Sequence, residues 1–497
     1  MTLQPLWGCE TLRRLDQVAL KDLPWLMEVA GAGLADAVAR AVAERGLRPG
    51  AQVELWVGPG DNGGDGLVAC RHLLELGLRV AVWAPHGLPA SGDAAKALAQ
   101  LEPSSASIRH LEAALHRDSE LVVDCLFGTG LSRPLSGDLL ESVERLNRSP
   151  LPVVACDIPS GLCGNTGRVL GAAVRADWTI AFGGLKPGFF CSDGLDYCGT
   201  IRLATLGYRP DHYDEVEPEG YLDLRPAQEF LPSMRQADHK GRFGRVLALA
   251  GSPGMEGAAL LTLEGARCGG AGLLHLWSPE RSRREFGELP AEVMVAPFAD
   301  HALEVAARCD VIVAGPGLGR TPAAREALLR LLGVAAHKPW ILDADALYHL
   351  AHERFELPDQ CLLTPHEGEA LRLVGEDPLV GTWGGDRFSL AQQLSARFGV
   401  DVLLKGAGNI ITLDGVSCLV PGSARGLARG GSGDVLSGLI AAVVGRGASL
   451  GDAAHFALRL QLMAAQSLDR GEAETVSQAQ LVSAMTAAWR EVYEAHR

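Results

Sequence analysis

No C-x-x-C pair occurs in this sequence, although it contains 11 cysteines. That absence removes the support for a zinc ribbon or a thioredoxin-type redox motif. The cysteines are odd in number and scattered, and Cys125, Cys156, Cys309 and Cys361 sit inside apolar, strand-like runs. Buried free thiols in a reducing cytoplasm are the expectation. Long basic runs are missing as well: the densest is Arg281-Ser-Arg-Arg284, a solvated helix end or loop, in a chain of formal net charge -15. A chain this acidic is repelled by phosphate backbones, so a nucleic-acid partner is not expected. No apolar run approaches the roughly 18 uninterrupted residues of a membrane span. Met1 to Glu10 lacks a basic-then-apolar leader pattern. A cytoplasmic protein with no membrane partner is expected.

What is present is apolar residue and glycine. Hydrophobic residues make up 47% of the 497, and there are 60 glycines. At roughly 100–200 residues per domain, such a chain has material for two to four domains. The best boundary lies near 209–232. Between Arg209 and Glu229 there are seven acidic and two basic residues, punctuated by Pro210, Pro218 and Pro226, with Pro232 just beyond. That mix disfavours regular core structure and reads as a connector between a domain 1–220 and a domain 221–497.

Short apolar runs alternate with helical patterns on both sides of this boundary. Before it, Val53–Val57, Val80–Trp83, Leu121–Cys125, Val153–Cys156 and Thr179–Phe182 read as strands; Ala30–Ala43 and Leu67–Leu76 have helical spacing. After it, Val246–Ala250, Val311–Ala314, Trp340–Leu342, Cys361–Leu363 and Val402–Leu404 read as strands. Ile410–Thr412 and Ser417–Val420 flank the hairpin signal Asp414-Gly415. Such alternation predicts α/β domains, each with a parallel sheet covered on both faces.

The run Val57-Gly-Pro-Gly-Asp-Asn-Gly-Gly-Asp-Gly66 follows a strand and opens a helix. Its bare N–H groups can approach a phosphate, aided by the helix N-terminus. It is not a well-registered G-x-G-x-x-G, and a plain tight turn is the alternative. Two further polar loops, Asp124–Arg133 and Asp157–Gly161, also follow strands. In an open parallel sheet such loops line one crevice.

These residues, with Met27-Glu-Val-Ala-Gly31 and Lys186-Pro-Gly188, resemble the NAD(P)H-hydrate epimerase domain over roughly residues 10–205. The resemblance implies a Rossmann-like three-layer domain. Its substrate would be NADH or NADPH hydrated at C6 of the nicotinamide ring, with R and S forms interconverted. It further implies that Asp61, Asn62, Gly63, Gly64, Asp65, Gly128, Thr129, Gly130, Leu131, Ser132, Arg133 and Pro134 hold the substrate. Asn62, Asp124 and Ser160 would ligate potassium, and Asp157 would be the acid/base. Lys186 is a second candidate there, a phosphate-facing lysine being the alternative. Two positions depart from the family pattern: Asp61 and Val29 stand where asparagine is usual.

In the C-terminal half, Ala428-Arg-Gly-Gly-Ser-Gly-Asp-Val-Leu-Ser-Gly438 puts an anion-binding glycine turn at the start of an apolar helix, with Asp434 in its first turn. A carboxylate there can take a proton from a substrate hydroxyl during phosphoryl transfer. Complementing the helix dipole is the alternative role. This arrangement resembles the ribokinase-like fold. The segments His239–Val246, Ala250–Ala259, Ala314–Gly319, Asp343–Leu347, Thr364–Glu369 and Leu404–Gly408 narrow the resemblance to the ADP/ATP-dependent NAD(P)H-hydrate dehydratases. By that resemblance Lys405, Gly406, Ala407, Gly408, Asn409 and Gly433 bind ADP or ATP. Ala258, Gly317, His366 and Asp434 would contact the hydrate, with Asp434 catalytic and Mg²⁺ neutralising phosphate charge. Asp343 and Asp345 end a strand and can equally cap the next helix, and Tyr348 replaces a common asparagine.

Two rival readings remain: a ribokinase-like kinase of another small molecule, and an N-terminal module that binds nucleotide without catalysis. Small-molecule partners and a homo-oligomer are expected.

Overall fold

The computed structural model describes residues 3–101, 108–232, 242–278, 286, 289–296, 299–376, 385–469 and 476–495. The basic run Arg281–Arg284 and the start of the motif at His239 lie outside them. The chain divides into two compact units, Pro5–Glu219 and Gly220–Arg497 with the first four residues.

The first unit is built on a seven-stranded sheet, ordered Ile108–Leu111, Arg79–Trp83, Gln52–Val57, Leu121–Cys125, Val153–Cys156, Trp178–Phe182, Thr200–Ala204. Every neighbouring pair is parallel. Gln52–Val57, Leu121–Cys125 and Val153–Cys156 are buried along their whole length, as strands covered on both faces must be. Their side chains split by period two. Val53, Leu55 and Val57 join the core under helices Leu26–Glu44 and Asp61–Glu75, whereas Trp56 and Val122 join the core under helix Gly137–Arg148. The strand order reverses between Gln52–Val57 and Leu121–Cys125, so a crevice opens at their C-terminal ends.

The second unit carries an eleven-stranded sheet. Seven strands run parallel: Val293–Val295, Leu273–Trp277, Arg245–Leu249, Val311–Ala314, Trp340–Leu342, Cys361–Leu363 and Asp401–Leu404. Asn409–Leu413 and Val416–Val420 then follow as the antiparallel hairpin that Asp414-Gly415 announced. The order reverses between Arg245–Leu249 and Val311–Ala314. Helix Ser432–Gly445 buries Val435, Leu436, Leu439 and Ile440 in the main core.

The stretch 209–232 is more than a connector. Two 3₁₀ turns, Pro210–Glu215 and Ala227–Phe230, flank the strand Gly220–Asp223, which joins the large sheet beside Val416–Val420. Its acidity misleads because Asp223 is fully buried and compensated. Arg225 meets its carboxylate at 2.8 and 3.0 Å, Arg459 at 3.1 Å and His455 at 3.1 Å. Burial holds His455 neutral by pushing its pKa down to about 3. The strands Ile108–Leu111, Thr200–Ala204, Leu273–Trp277 and Val293–Val295 were also not expected from the sequence.

Among the described residues no helix is long and apolar enough to cross a membrane. All 11 cysteines are free thiols, most of them buried.

Candidate active sites

In the first unit the crevice is a cleft of about 650 Å³. Asp61, Asn62, Asp65, the run Gly128–Arg133 and Asp157 all line it. Gly63 and Gly64 lie buried behind that surface, and exposed Pro134 lies beside it. A Cβ at Gly63 would fall on the Gly58 carbonyl, so the turn closes only with glycine there. Gly64 packs against Met27, and Pro134 against Gly171.

Asp157 directly follows a strand, with φ of 64°, a backbone region that non-glycine residues occupy at a cost of about 1–3 kcal/mol. The fold holds it there by hydrogen bonds. Its N–H donates to Ile180 O at 2.8 Å, and its Oδ1 accepts from Phe182 N at 3.0 Å and Lys186 Nζ at 2.7 Å. Lys186 is completely buried, so its one charge is committed to this carboxylate. Asp65 is partly exposed to the cleft. Burial and the nearby carboxylates of Asp157, Asp61 and Asp16 hold its pKa well above the carboxylate range.

Asp124 and Ser160 form one buried knot. The Ser160 N–H and hydroxyl donate to the two Asp124 oxygens at 2.7 Å each, and the hydroxyl oxygen accepts from Phe127 N at 2.8 Å. Phe127 in turn lines the cleft. Burial raises the Asp124 carboxyl to about 6. Asn62 packs against Gly128, and its buried Nδ2 has no hydrogen-bond partner among the described residues.

In the second unit the glycine turn, the 405–409 loop and the end of strand Trp340–Leu342 meet. Lys405 Nζ bonds Asp343 Oδ1 at 2.7 Å, and Ser437 Oγ donates to Asp343 Oδ2 at 2.7 Å. A Cβ added at Gly433 would lie 3.1 Å from Lys405 Nζ, so the ammonium sits directly over the start of helix Ser432–Gly445. That geometry builds an anion site from an ammonium and a helix N-terminus. Asp434, in the first turn, faces Asp343, Lys405, Glu369 and Asp345; burial first, then Asp343, lifts its carboxyl to about 7.

The rest of the 405–409 loop is pinned from beneath. Gly406 N donates to Asn409 Oδ1 at 3.2 Å. The buried Arg387 donates to Lys405 O at 3.1 Å and Gly408 O at 3.2 Å. Gly406 and Ala407 are exposed at the loop tip. Ala258 and Gly317 are neighbours: a Cβ on Gly317 would be 3.0 Å from that of Ala258. His366 does cap a helix, its Nδ1 accepting from Gly368 N and Glu369 N, yet its side chain remains 57% exposed and its backbone bridges to Lys405. Asp343 is both cap and site residue, accepting from Ala344 N at 2.9 Å besides holding Lys405. Asp345 accepts from Gly319 N at 2.9 Å and so fixes the loop that carries Gly317.

Sequence reasoning missed Arg387 and Asp16. Arg387 sits at a helix start with no motif around it. Asp16 lies in a helix with no glycine turn nearby to mark it.

Comparison with known proteins agrees with this division. A family model described as YjeF-related protein N-terminus matches residues 24–188, and one described as NAD(P)H-hydrate dehydratase matches 246–487. The chain is 35% identical to the bifunctional NAD(P)H-hydrate repair enzyme of Vibrio cholerae, over 81% of each chain. It is 34% identical to that of Escherichia coli, over 80% of this chain and 77% of the other. Among solved structures, the ADP/ATP-dependent NAD(P)H-hydrate dehydratase of Bacillus subtilis, crystallised with ATP and Mg²⁺, is 28% identical with a TM-score of 0.46, covering 54% of this chain and 96% of that one. With relatives of this identity matched along most of their length, the chain belongs to the family of bifunctional NAD(P)H-hydrate repair enzymes.

Proposed function

We propose that the two sites described above carry the two halves of NAD(P)H-hydrate repair. The chain is an enzyme with an epimerase half and a dehydratase half. The cleft over residues 58–66, 126–133 and 157 interconverts the R and S hydrates, and the site around Asp434 returns the S hydrate to NADH or NADPH at the expense of ADP or ATP. The observation that carries the second assignment is the Lys405–Asp343–Ser437 chain beside Gly433 and Asp434. An ammonium and helix N–H groups hold transferring phosphate, while a carboxylate stands ready for the hydroxyl proton. Hydroxide leaves poorly and phosphate well. Asp434 takes the proton as the hydrate oxygen attacks the terminal phosphoryl group and the shortened nucleotide leaves; phosphate then departs from C6 with its C–O electron pair, and loss of the C5 proton to solvent restores the double bond of the dihydronicotinamide. Mg²⁺ would lower the charge barrier on those phosphates.

In the epimerase half, Asp157 is the acid/base and the residues Asp61–Asp65 and Gly128–Pro134 hold the dinucleotide. The unpartnered Asn62 amide supports this, since a buried donor in a cleft wall calls for a ligand. The oxygen atoms of Asp124, Ser160 and Asn62 would hold potassium, which would supply fixed positive charge near the substrate. A melting-temperature titration with KCl against choline chloride at pH 7.5 tests this independently of activity. Stabilisation by K⁺ over choline is expected. Equal melting points in both salts would remove the site. A cytoplasmic homo-oligomer completes the reading; the half-exposed Leu203 on the edge strand Thr200–Ala204 supports association, and light scattering tests it.

Asp157→Ala is expected to abolish conversion of R hydrate while S hydrate is still repaired. Unchanged R turnover in that variant would make the N-terminal half a binding module.

A further inference from the structure

The N-terminal cleft contains another carboxyl group on an element outside the residues 24–188 matched by the family model. Helix Cys9–Ala19 buries Cys9, Leu12, Leu15 and Ala19 and turns Asp16 and Arg13 to the cleft lining. Tyr208, which follows the edge strand Thr200–Ala204, donates its hydroxyl to Asp16 Oδ1. Asp16 Oδ2 has no hydrogen-bond partner among the described residues. Asp16 and Asp157 differ in their surroundings. Asp157 receives an ammonium and a backbone N–H on one oxygen, an arrangement that suits a carboxylate acceptor. Asp16 has one neutral phenol.

Epimerisation at C6 by loss and return of the hydroxyl needs chemistry on both faces of the ring. On that route a hydroxyl leaves from one face and water adds to the other, which calls for a proton donor and a proton acceptor on opposite sides. We propose that Asp16, positioned by Tyr208, is the second acid/base of the epimerase, acting on the ring face opposite Asp157. This rests on the epimerase reading of the cleft. In the forward step the C6–O bond breaks and its electron pair leaves with oxygen. Oxygen takes the Asp16 proton and departs as water, while the ring-nitrogen lone pair forms the C=N⁺ bond of an iminium. Water then attacks C6 from the other face, the C=N⁺ pair returns to nitrogen, and Asp157 accepts the proton. The reverse reaction exchanges the two roles, and solvent resets the protons.

The electrostatics agree with this division. Burial raises the Asp16 carboxyl above its ordinary range, opposed chiefly by the Tyr208 hydrogen bond, with Asp157 and Asp61 adding to the rise and Lys186 lowering it; Asp65 also faces it. Pairs of carboxyls in unlike surroundings are a usual way to divide acid and base roles.

The test uses the full-length protein with R hydrate in H₂¹⁸O, reading R-to-S conversion above the uncatalysed rate. One solvent oxygen incorporated per inversion is expected, and inversion with the original oxygen retained would overturn the proposal. Asp16→Asn is expected to slow conversion by roughly 10²–10⁴-fold, the usual worth of a general acid. Its circular dichroism and its thermal melting should match the parent, which reports on folding of the first unit. Tyr208→Phe removes a hydrogen bond that favours the carboxylate, so the alkaline limb of the R-hydrate rate should move to higher pH; a limb that stays put makes Tyr208 merely structural and defeats its part in the proposal. If Asp16→Asn converts R hydrate at full speed while Asp157→Ala does not, the second acid/base is wrong and the epimerase reading stands. If both convert it at full speed, the epimerase reading falls as well.

Discussion

Asp434 carries the most consequential electrostatics in the second unit. Its carboxyl, lifted to about 7, must be ionised to accept a proton, so dehydration should rise with pH through an inflection near 7. A rate on saturating S hydrate that is flat from pH 5.5 to 8.5 would remove Asp434 as the base. The same shift has a stability consequence. A carboxyl whose pKa is higher folded than unfolded destabilises the fold as pH rises between the two values. Asp434→Asn should therefore melt higher than the parent at pH 8, with the difference vanishing near pH 4, while losing dehydration and keeping nucleotide binding. Asp343 is the largest charged contributor to that lift and the anchor of Lys405. In Asp343→Asn the inflection should move to lower pH and the nucleotide KM should rise several-fold; an unmoved inflection would confine Asp343 to capping its helix. Of these residues Asp434 was legible in its glycine turn. Asp343 was legible only as an ambiguity, because a cap and an ion pair ask for the same carboxylate. Lys186 was ambiguous for a related reason, since nothing in a Lys-Pro-Gly string says that the ammonium turns inward to Asp157.

Helices and strands show where pattern reading succeeds. Leu121–Cys125, Val153–Cys156, Val311–Ala314, Trp340–Leu342 and Cys361–Leu363 coincide with their apolar runs, because a strand covered on both faces admits a polar residue only where it has a buried partner, as Asp124 has in Ser160. Thr200–Ala204 was hidden because it is an edge strand with intermediate or exposed side chains, Arg202 among them. Leu273–Trp277 carries His275 in its middle. Gly220–Asp223 was hidden by its charge, which is neutralised by partners far along the chain. Arg459, on helix Leu450–Asp469, bonds the Asp223 carboxylate and carbonyl and the Arg225 carbonyl. Removing one member of a buried ionic group strands the others. Asp223→Ala should thus lower unfolding free energy by about 3–5 kcal/mol in a denaturant titration. A loss within 0.5 kcal/mol, the usual range for a surface substitution, would mean that this cluster does not hold the strand. The cost follows from two guanidiniums and no carboxylate, not from any change in sheet pairing.

Taken together, the two units share a parallel sheet whose strand order reverses once, and they use it differently. In the first, the loops at the reversal carry the glycine turn and carboxylates of the site; in the second, the site gathers the ends of Trp340–Leu342 and Asp401–Leu404 and the start of helix Ser432–Gly445. The sites differ in what the loops supply. The N-terminal cleft offers carboxyls in unlike environments, with the Lys186 ammonium buried against Asp157, which suits proton shuffling. The C-terminal site offers Lys405 over Gly433, which suits phosphate. Division of labour within one chain follows: one site supplies the stereoisomer that the other consumes.

The most direct measurement uses purified protein with Mg²⁺, K⁺ and a mixture of R and S NADH hydrates, following the return of dihydronicotinamide absorbance with ADP, with ATP and with neither. Complete recovery that requires a nucleotide is predicted, and it names the phosphoryl donor. Recovery that halts once the S form is exhausted would contradict the epimerase half. No recovery with either nucleotide would contradict the repair function and return the C-terminal unit to a kinase of another small molecule.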